Sequence, residues 1–92
     1  QHSYDISGKY WIKKGEDVLV IKNKIEIALQ EYIDWQKAKL GRDINPNKLV
    51  QLLIMAGAKR VELSDFLFVK LERNTVAKEN TVNLKYQGEE DE

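Results

Sequence analysis

The sequence contains no cysteine, a single histidine, a single proline and no long apolar run. Without cysteine the chain forms neither a disulfide nor a thiolate metal site. Catalysis by a Ser-His-Asp or Cys-His arrangement is excluded too, because His2 stands alone near the start of the chain. No apolar stretch reaches the roughly 18 residues that span a bilayer, so no membrane helix is predicted. The sequence has no phosphate loop and no calcium-loop spacing, and we expect no cofactor, no metal and no small-molecule substrate.

What the chain does contain is typical of one small globular domain. Its 92 residues are 42% hydrophobic and 33% charged, with fifteen basic and fifteen acidic side chains. Four of the acids form the run 89–92, which we predict to be a disordered, solvated tail after a domain of residues 1–88. The remaining body has an excess of about four positive charges, far below that of a typical nucleic-acid-binding protein. Nucleic acid is therefore not an expected partner.

Hydrophobic periodicity predicts five elements in the order β-α-α-β-β. Residues 4–12 alternate as a strand does, except that Trp11 falls on the polar side. We expect a two-layer α+β fold: a small, largely antiparallel sheet of about three strands, covered on one face by two helices. The predicted elements are strands over 4–12, 58–63 and 80–86 and helices over 16–40 and 46–56, with 66–71 either a strand or a packed loop.

The link between the two predicted helices carries start and stop signals for both of them. Gly41 can adopt the left-handed conformation that ends the first helix after Leu40, and Gly57 can end the second helix in the same way. Asn45 is the predicted N-cap of the second helix, with Pro46 at its first position. A link this short predicts a helical hairpin or a sharp corner.

Two charged residues in this link, Arg42 and Asp43, each allow a structural and a functional interpretation. Asp43 can accept backbone hydrogen bonds within the link and so fix the two helices. Arg42 can join such a local pair, or it can present its guanidinium to a carboxylate on a partner. The structural interpretation is the stronger one for Asp43, whereas both stay open for Arg42.

Three apolar residues outside the predicted core are candidates for a protein interface. Val20 and Ile27 are one heptad apart, on the side of the first helix opposite its apolar stripe. Trp11 lies on the polar side of the first strand. Each is either a stray exposed side chain, which is common, or part of a contact surface. Together with Arg42 they form the predicted interface set.

Several segments resemble the J-like baseplate assembly proteins of contractile phage tails. The longest is Asp34–Pro46, with the sequence DWQKAKLGRDINP. The matches cover most of the chain in the expected order and correspond to the C-terminal part of that longer family, so we expect a fragment of a longer protein. The other similar segments are Tyr4–Ile6, Tyr10–Ile12, Ala56–Leu63 (AGAKRVEL) and Val82–Gly88 (VNLKYQG).

The resemblance implies a structural, non-enzymatic wedge component that contacts copies of itself and neighbouring wedge subunits. It also implies a place in the tail baseplate of a phage, prophage or tailocin particle, assembled in the cytoplasm of the bacterial host. No functional residue of the family can be transferred, and the segment Ser64–Phe66 lacks the proline expected in that turn. The residues leave two alternatives open: a small nucleic-acid-binding or regulatory module, and an enzyme that uses only carboxylates.

Overall fold

A computed structural model describes residues 1–91 as one three-stranded sheet and two helices. Their order is β-α-α-β-β and the sheet is open, so the predicted α+β class and element order are confirmed. The elements are β1 (His2–Lys13), α1 (Val18–Lys37), α2 (Pro46–Met55), β2 (Ala58–Ser64) and β3 (Ala77–Glu90).

The sheet is mixed, with β1 lying between β2 and β3. β1 pairs antiparallel with β2 but parallel with β3. The parallel pairing arises because β2 runs toward the N-terminal end of β1, where residues 65–76 carry the chain to the opposite edge of β1. β3 then starts opposite His2 and runs in the same direction as β1. The predicted antiparallel pattern therefore holds for one of the two pairings.

Both helices pack on one face of the sheet. The side chains of β1 alternate between the two faces of the sheet, and its large apolar residues fall on the face that the helices cover. Tyr4, Ile6 and Tyr10 point toward the helices and are at most 7% exposed. The intervening residues, such as Asp5 and Lys9, are exposed on the opposite face. This opposite face is called the open face below.

The core forms between the helix-side face of the sheet and the apolar stripe of α1. With about 3.6 residues per turn, the buried side chains of α1 fall on one side of the helix. Burial of each large apolar side chain contributes about 1.5–3 kcal/mol relative to exposure, so the stripe fixes α1 on the sheet. The buried residues are Ile21, Ile25, Ala28, Leu29, Tyr32, Ile33 and Gln36.

The predicted end of α1 at Leu40 is wrong, because the helix stops at Lys37. Ala38 donates its N–H to the carbonyl of Trp35, which tightens the last turn instead of continuing the α-helical pattern. Gly41 has a positive φ of 70°, as predicted. It lies in the turn that follows the helix, however, and not at the helix end.

The second helix begins as predicted at the end of the helix connection, residues 38–45. The side-chain oxygen of Asn45 accepts a hydrogen bond from the N–H of Asn47 at 3.0 Å. Pro46 occupies the first position, where it has no N–H to leave unpaired. Gly57 follows the last turn with a φ of 121°, so its predicted place at the helix end is confirmed.

The helix α2 is buried on one side only. Leu49 and Leu53 are fully buried, whereas Ile54 and Met55 are 43% and 75% exposed. A helix with so few polar residues thus leaves part of its apolar surface uncovered. Neither helix in residues 1–91 combines the length and the apolarity needed to cross a lipid bilayer.

Residues 65–76, called the crossover below, form a packed connection and not a strand. Phe66 and Leu71 are buried in the core. Leu67 and Phe68, which lie between them, are 73% and 57% exposed. Of the two structures predicted for this segment, the packed loop is the one present.

The prediction of a disordered tail over residues 89–92 is wrong for its first half. β3 extends through Glu90 and stays paired with β1 to that point. The carboxylate of Glu90 accepts hydrogen bonds from Lys59 at 3.1 Å and from Arg60 at 2.6 Å. Opposite charges on β2 therefore hold the end of β3 in the sheet. Residue 92 lies outside the described residues.

Replacing Gly41 tests the packing of the helix connection against the crossover. A Cβ at Gly41 would lie 2.9 Å from the carbonyl oxygen of Arg73, whereas a Cβ at Gly15, whose φ is also positive, meets no atom within 4 Å. Both alanine variants carry backbone strain, but only Gly41→Ala adds a steric clash. We expect Gly41→Ala to lower the free energy of unfolding in urea by about 2 kcal/mol more than Gly15→Ala does. Equal losses would contradict this packing.

Candidate functional site

The helix connection is hydrogen-bonded to the crossover along its length. Ile44 and Val69 exchange two backbone hydrogen bonds, of 2.8 and 2.9 Å. Gly41 donates its N–H to the carbonyl of Thr75 at 2.8 Å. Two segments outside the helices and the sheet therefore satisfy each other's backbone groups, and the side chain of Ile44 is fully buried at their contact.

Asp43 joins the helix connection to the crossover. Its Oδ1 atom accepts the backbone N–H of Leu71 at 3.0 Å, 28 residues further along the chain. Leu71 is buried, so its N–H needs an acceptor inside the protein. Asp43 is thus a structural residue, as predicted, but the predicted bond within the connection is wrong.

Arg42 makes its contacts inside the molecule. Its guanidinium lies 4.1 Å from the ring centroid of Trp35 and donates a hydrogen bond to the carbonyl of Trp35. That carbonyl belongs to the last turn of α1 and also accepts the N–H of Ala38, so Arg42 supplies a second hydrogen bond to it. The structure therefore places Arg42 as a cap of α1, and its role at an interface stays a prediction.

Gln36 is a buried polar residue that the sequence did not reveal as special. Its Nε2 atom donates to the carbonyl of Arg42 at 2.7 Å, and its Oε1 atom accepts from the hydroxyl of Tyr32 at 2.8 Å. Burial raises the pKa of Tyr32 to about 12, so the hydroxyl keeps the proton that it donates. The available signal was the position of Gln36 on the apolar stripe, one turn after Tyr32.

Val20 and Ile27 lie on the outer side of α1, as their spacing predicts. Val20 is 46% exposed and Ile27 is 68% exposed. Between Ile27 and the helix connection, this side of α1 forms a shallow groove that Ile27 and the half-buried Trp35 both line, whereas Val20 lies about two turns before Ile27 and outside the groove. The groove is lined by Ile27, Gln30, Glu31, Asp34, Trp35 and Ala38.

Trp11 lies on the open face, where positively charged side chains cover it. The guanidinium of Arg60 is 3.6 Å from the ring centroid, and the ammonium of Lys9 is 5.6 Å from it. Arg60 is directly opposite Trp11 in the β1–β2 pair, so the stack joins neighbouring strands. The sheet separates Trp11 from Val20 and Ile27, and the predicted interface residues do not form one surface.

Three basic side chains of the open face, Lys9, Lys59 and Arg60, are paired with acids. The guanidinium of Arg60 bonds to the carboxylates of Glu62 and Glu90. Lys59 pairs with Glu90 at 3.1 Å, and Lys9 pairs with Glu62 at 4.0 Å. Hydrogen bonds from Arg60 and Lys59 lower the pKa of Glu90 to about 2. Because each of these three cations is paired with a carboxylate, the network differs from the groove of free basic and aromatic side chains that binds nucleic acid.

The part of the chain that the structure describes has no group of three His, Cys, Asp or Glu side chains that could hold a metal ion. His2, the one histidine of the sequence, lies in β1 opposite Ala77. The expectations of no cofactor, no metal and no catalytic residue stay predictions.

Comparison with known proteins identifies no relative of this chain. A scan against models of protein families gave no match, and a search of curated proteins gave none either. The similarity to J-like baseplate assembly proteins therefore rests on the sequence segments that carry it.

The Glu90 network should make stability depend on pH. The pKa of Glu90 is about 2 in the folded chain, below its ordinary value of 4.5, so its contribution is fully present above pH 4.5 and is lost as the pH falls toward 2. Glu90→Gln should therefore lower the melting temperature at neutral pH, with a difference from the wild type that disappears toward acid pH.

Glu89→Gln is the matched control for this experiment, because it removes the same charge from the neighbouring, exposed residue. Its melting temperature should follow that of the wild type across the whole pH range. Equal shifts for the two variants, or a Glu90→Gln difference that does not change with pH, would contradict the ion-pair account.

Proposed function

We propose that the chain is a structural assembly module of a phage-type contractile tail baseplate, acting by self-association and by docking to neighbouring wedge subunits. The observation that supports this most is the outer side of α1. Ile27 is exposed there in one groove with Trp35, and Val20 is exposed about two turns earlier on the same side of the helix. Exposed apolar side chains on one helix side, next to an aromatic residue, are typical of contact surfaces between proteins. The resemblance to J-like baseplate assembly proteins gives the expected partners.

The helix α1 is suited to docking because it is held rigidly. Its inner side is buried along the sheet, and its C-terminal end is capped by Arg42. Covering apolar area contributes about 25 cal/mol per Å², but association also costs the entropy of ordering the surface. The backbone of a fixed helix is already ordered, so docking through it costs less entropy. More of the free energy gained by covering apolar area then contributes to affinity.

A nucleic-acid-binding or regulatory module is the alternative function. It would use the basic side chains of the open face, but Arg60 and Lys9 are paired there with acids. Such a module should bind DNA or RNA with an affinity that falls steeply as salt is added. Salt-sensitive binding to a nucleic-acid fragment would therefore favour the alternative.

The proposal is tested by measuring binding to the wedge subunits encoded beside the reading frame of this chain. We expect a wedge subunit to bind, and the double variant Val20→Lys/Ile27→Lys to bind at least about tenfold more weakly. Lysine is a good helix former, so this variant should keep the fold. Leu67→Lys/Phe68→Lys is the control, because it adds the same charge at exposed apolar residues of the crossover and should leave binding unchanged.

The binding results distinguish an error in the proposed docking surface from an error in the proposed function. Unchanged binding of the α1 variant would contradict docking through this side of the helix. A wild-type chain that neither self-associates nor binds any wedge subunit would contradict the assembly function itself.

A further inference from the structure

The sheet has a long open edge along β3. This strand pairs with β1 on one side, and no strand within residues 1–91 pairs with its other side. An edge strand presents a row of unpaired N–H and C=O groups that another strand can use. Proteins commonly block such edges with proline or with short strands, but β3 has 14 residues and contains no proline.

The middle of β3, Thr81–Tyr86, is regular. It pairs without interruption with Asp5–Tyr10, between two irregularities in the β1–β3 register. Val82, Leu84 and Tyr86 lie on the helix side of the sheet, and each keeps part of its surface exposed, 37% for Val82. The edge thus combines free backbone groups with a row of three partly exposed apolar side chains.

We propose that a second copy of the chain pairs with this edge, with the two β3 strands antiparallel and Leu84 opposite Leu84 of the second copy. The result is a continuous six-stranded sheet with the helices of both copies on one face. This inference rests on the proposed function, because it names the surface through which the assembly module binds itself. A two-fold axis at Leu84 makes the contact isologous, which is the commonest arrangement in soluble oligomers.

The register follows from which side chains come to face each other. Directly opposite residues of an antiparallel pair lie on the same face of the sheet. With the axis at Leu84, Val82 faces Tyr86 of the second copy, so each apolar side chain of the row meets another. Lys85 then faces Asn83, and no like charges meet within this segment. An axis at any neighbouring residue leaves Val82 or Tyr86 opposite a polar residue or a glycine.

The other edge of the sheet, along β2, is less suited to pairing. β2 has seven residues, and three of them, Lys59, Arg60 and Glu62, are charged. Arg60 and Glu62 bond to each other, and Arg60 also bonds to Glu90 across the sheet. Short and charged edges are a common protection against association. This contrast favours β3 as the edge that a second copy uses.

The proposed register can be tested by disulfide trapping, because the native chain has no cysteine. Leu84→Cys places two thiols at the axis, where opposite Cα atoms lie about 4.5–5.5 Å apart, within disulfide range. Val82→Cys is the control, because the same register separates its two copies by about 14 Å along the strands. Under mild oxidation we expect a covalent dimer of Leu84→Cys on a non-reducing gel and mostly monomer of Val82→Cys. Equal trapping, or no trapping of Leu84→Cys, would overturn the register.

Sedimentation of the chain measures the association itself. The wild-type mass should rise from 10.7 kDa toward twice that value with concentration. Leu84→Lys places two positive charges opposite each other at the axis and should weaken self-association at least about tenfold. Leu63→Lys is matched to it, since Leu63 is a half-buried leucine on the helix side of β2. This control should associate as the wild type does, and equal weakening by both variants would overturn the proposal.

The outcomes separate this inference from the proposed function. Loss of self-association in Leu84→Lys with unchanged affinity for a wedge subunit supports both. Self-association that Leu84→Lys leaves intact overturns the edge pairing but not the assembly function. A wild-type chain that stays monomeric at every concentration also overturns the edge pairing, and its affinity for wedge subunits then decides the function.

Discussion

The contact between the helix connection and the crossover holds the two halves of this fold together. Ile44 bonds to Val69 through the backbone, and Asp43 bonds to Leu71 through its carboxylate. Closing loops of this length costs conformational entropy. Satisfied hydrogen bonds and buried apolar surface at the contact must offset that cost. Both occur here, because Ile44 and Leu71 are buried beside the bonds that they make.

The path of the crossover determines the rest of the architecture. It brings the chain to the N-terminal end of β1 on the edge opposite β2, so β3 runs parallel to β1. It also places Phe66 against Tyr4 and Tyr32, with ring centroids 5.9 Å from each, which joins β1, α1 and the crossover in one core. The two surfaces that we propose for partners, the outer side of α1 and the free edge of β3, both lie outside this core.

Features that depend on neighbouring residues could be predicted from the sequence, and features that depend on distant partners could not. The side chain of Asn45 accepts a hydrogen bond from a residue only two positions away. The exposure of Val20 and Ile27 follows from the helical period. The bond from Asp43 reaches 28 residues along the chain and that of Glu90 about 30, so no local pattern reveals either. The parallel direction of β3 was missed for the same reason, because it depends on where the crossover packs.

Hydrogen exchange of the backbone amides tests most directly whether the contact between the helix connection and the crossover holds the fold together. If the helix connection and the crossover close the fold as one unit, the N–H groups of Gly41, Ile44, Val69 and Leu71 should exchange only through the same cooperative opening as the buried strand β1. Their free energies of opening should then equal that of β1. Exchange of these four amides at rates near those of an unstructured loop, while β1 stays protected, would contradict it.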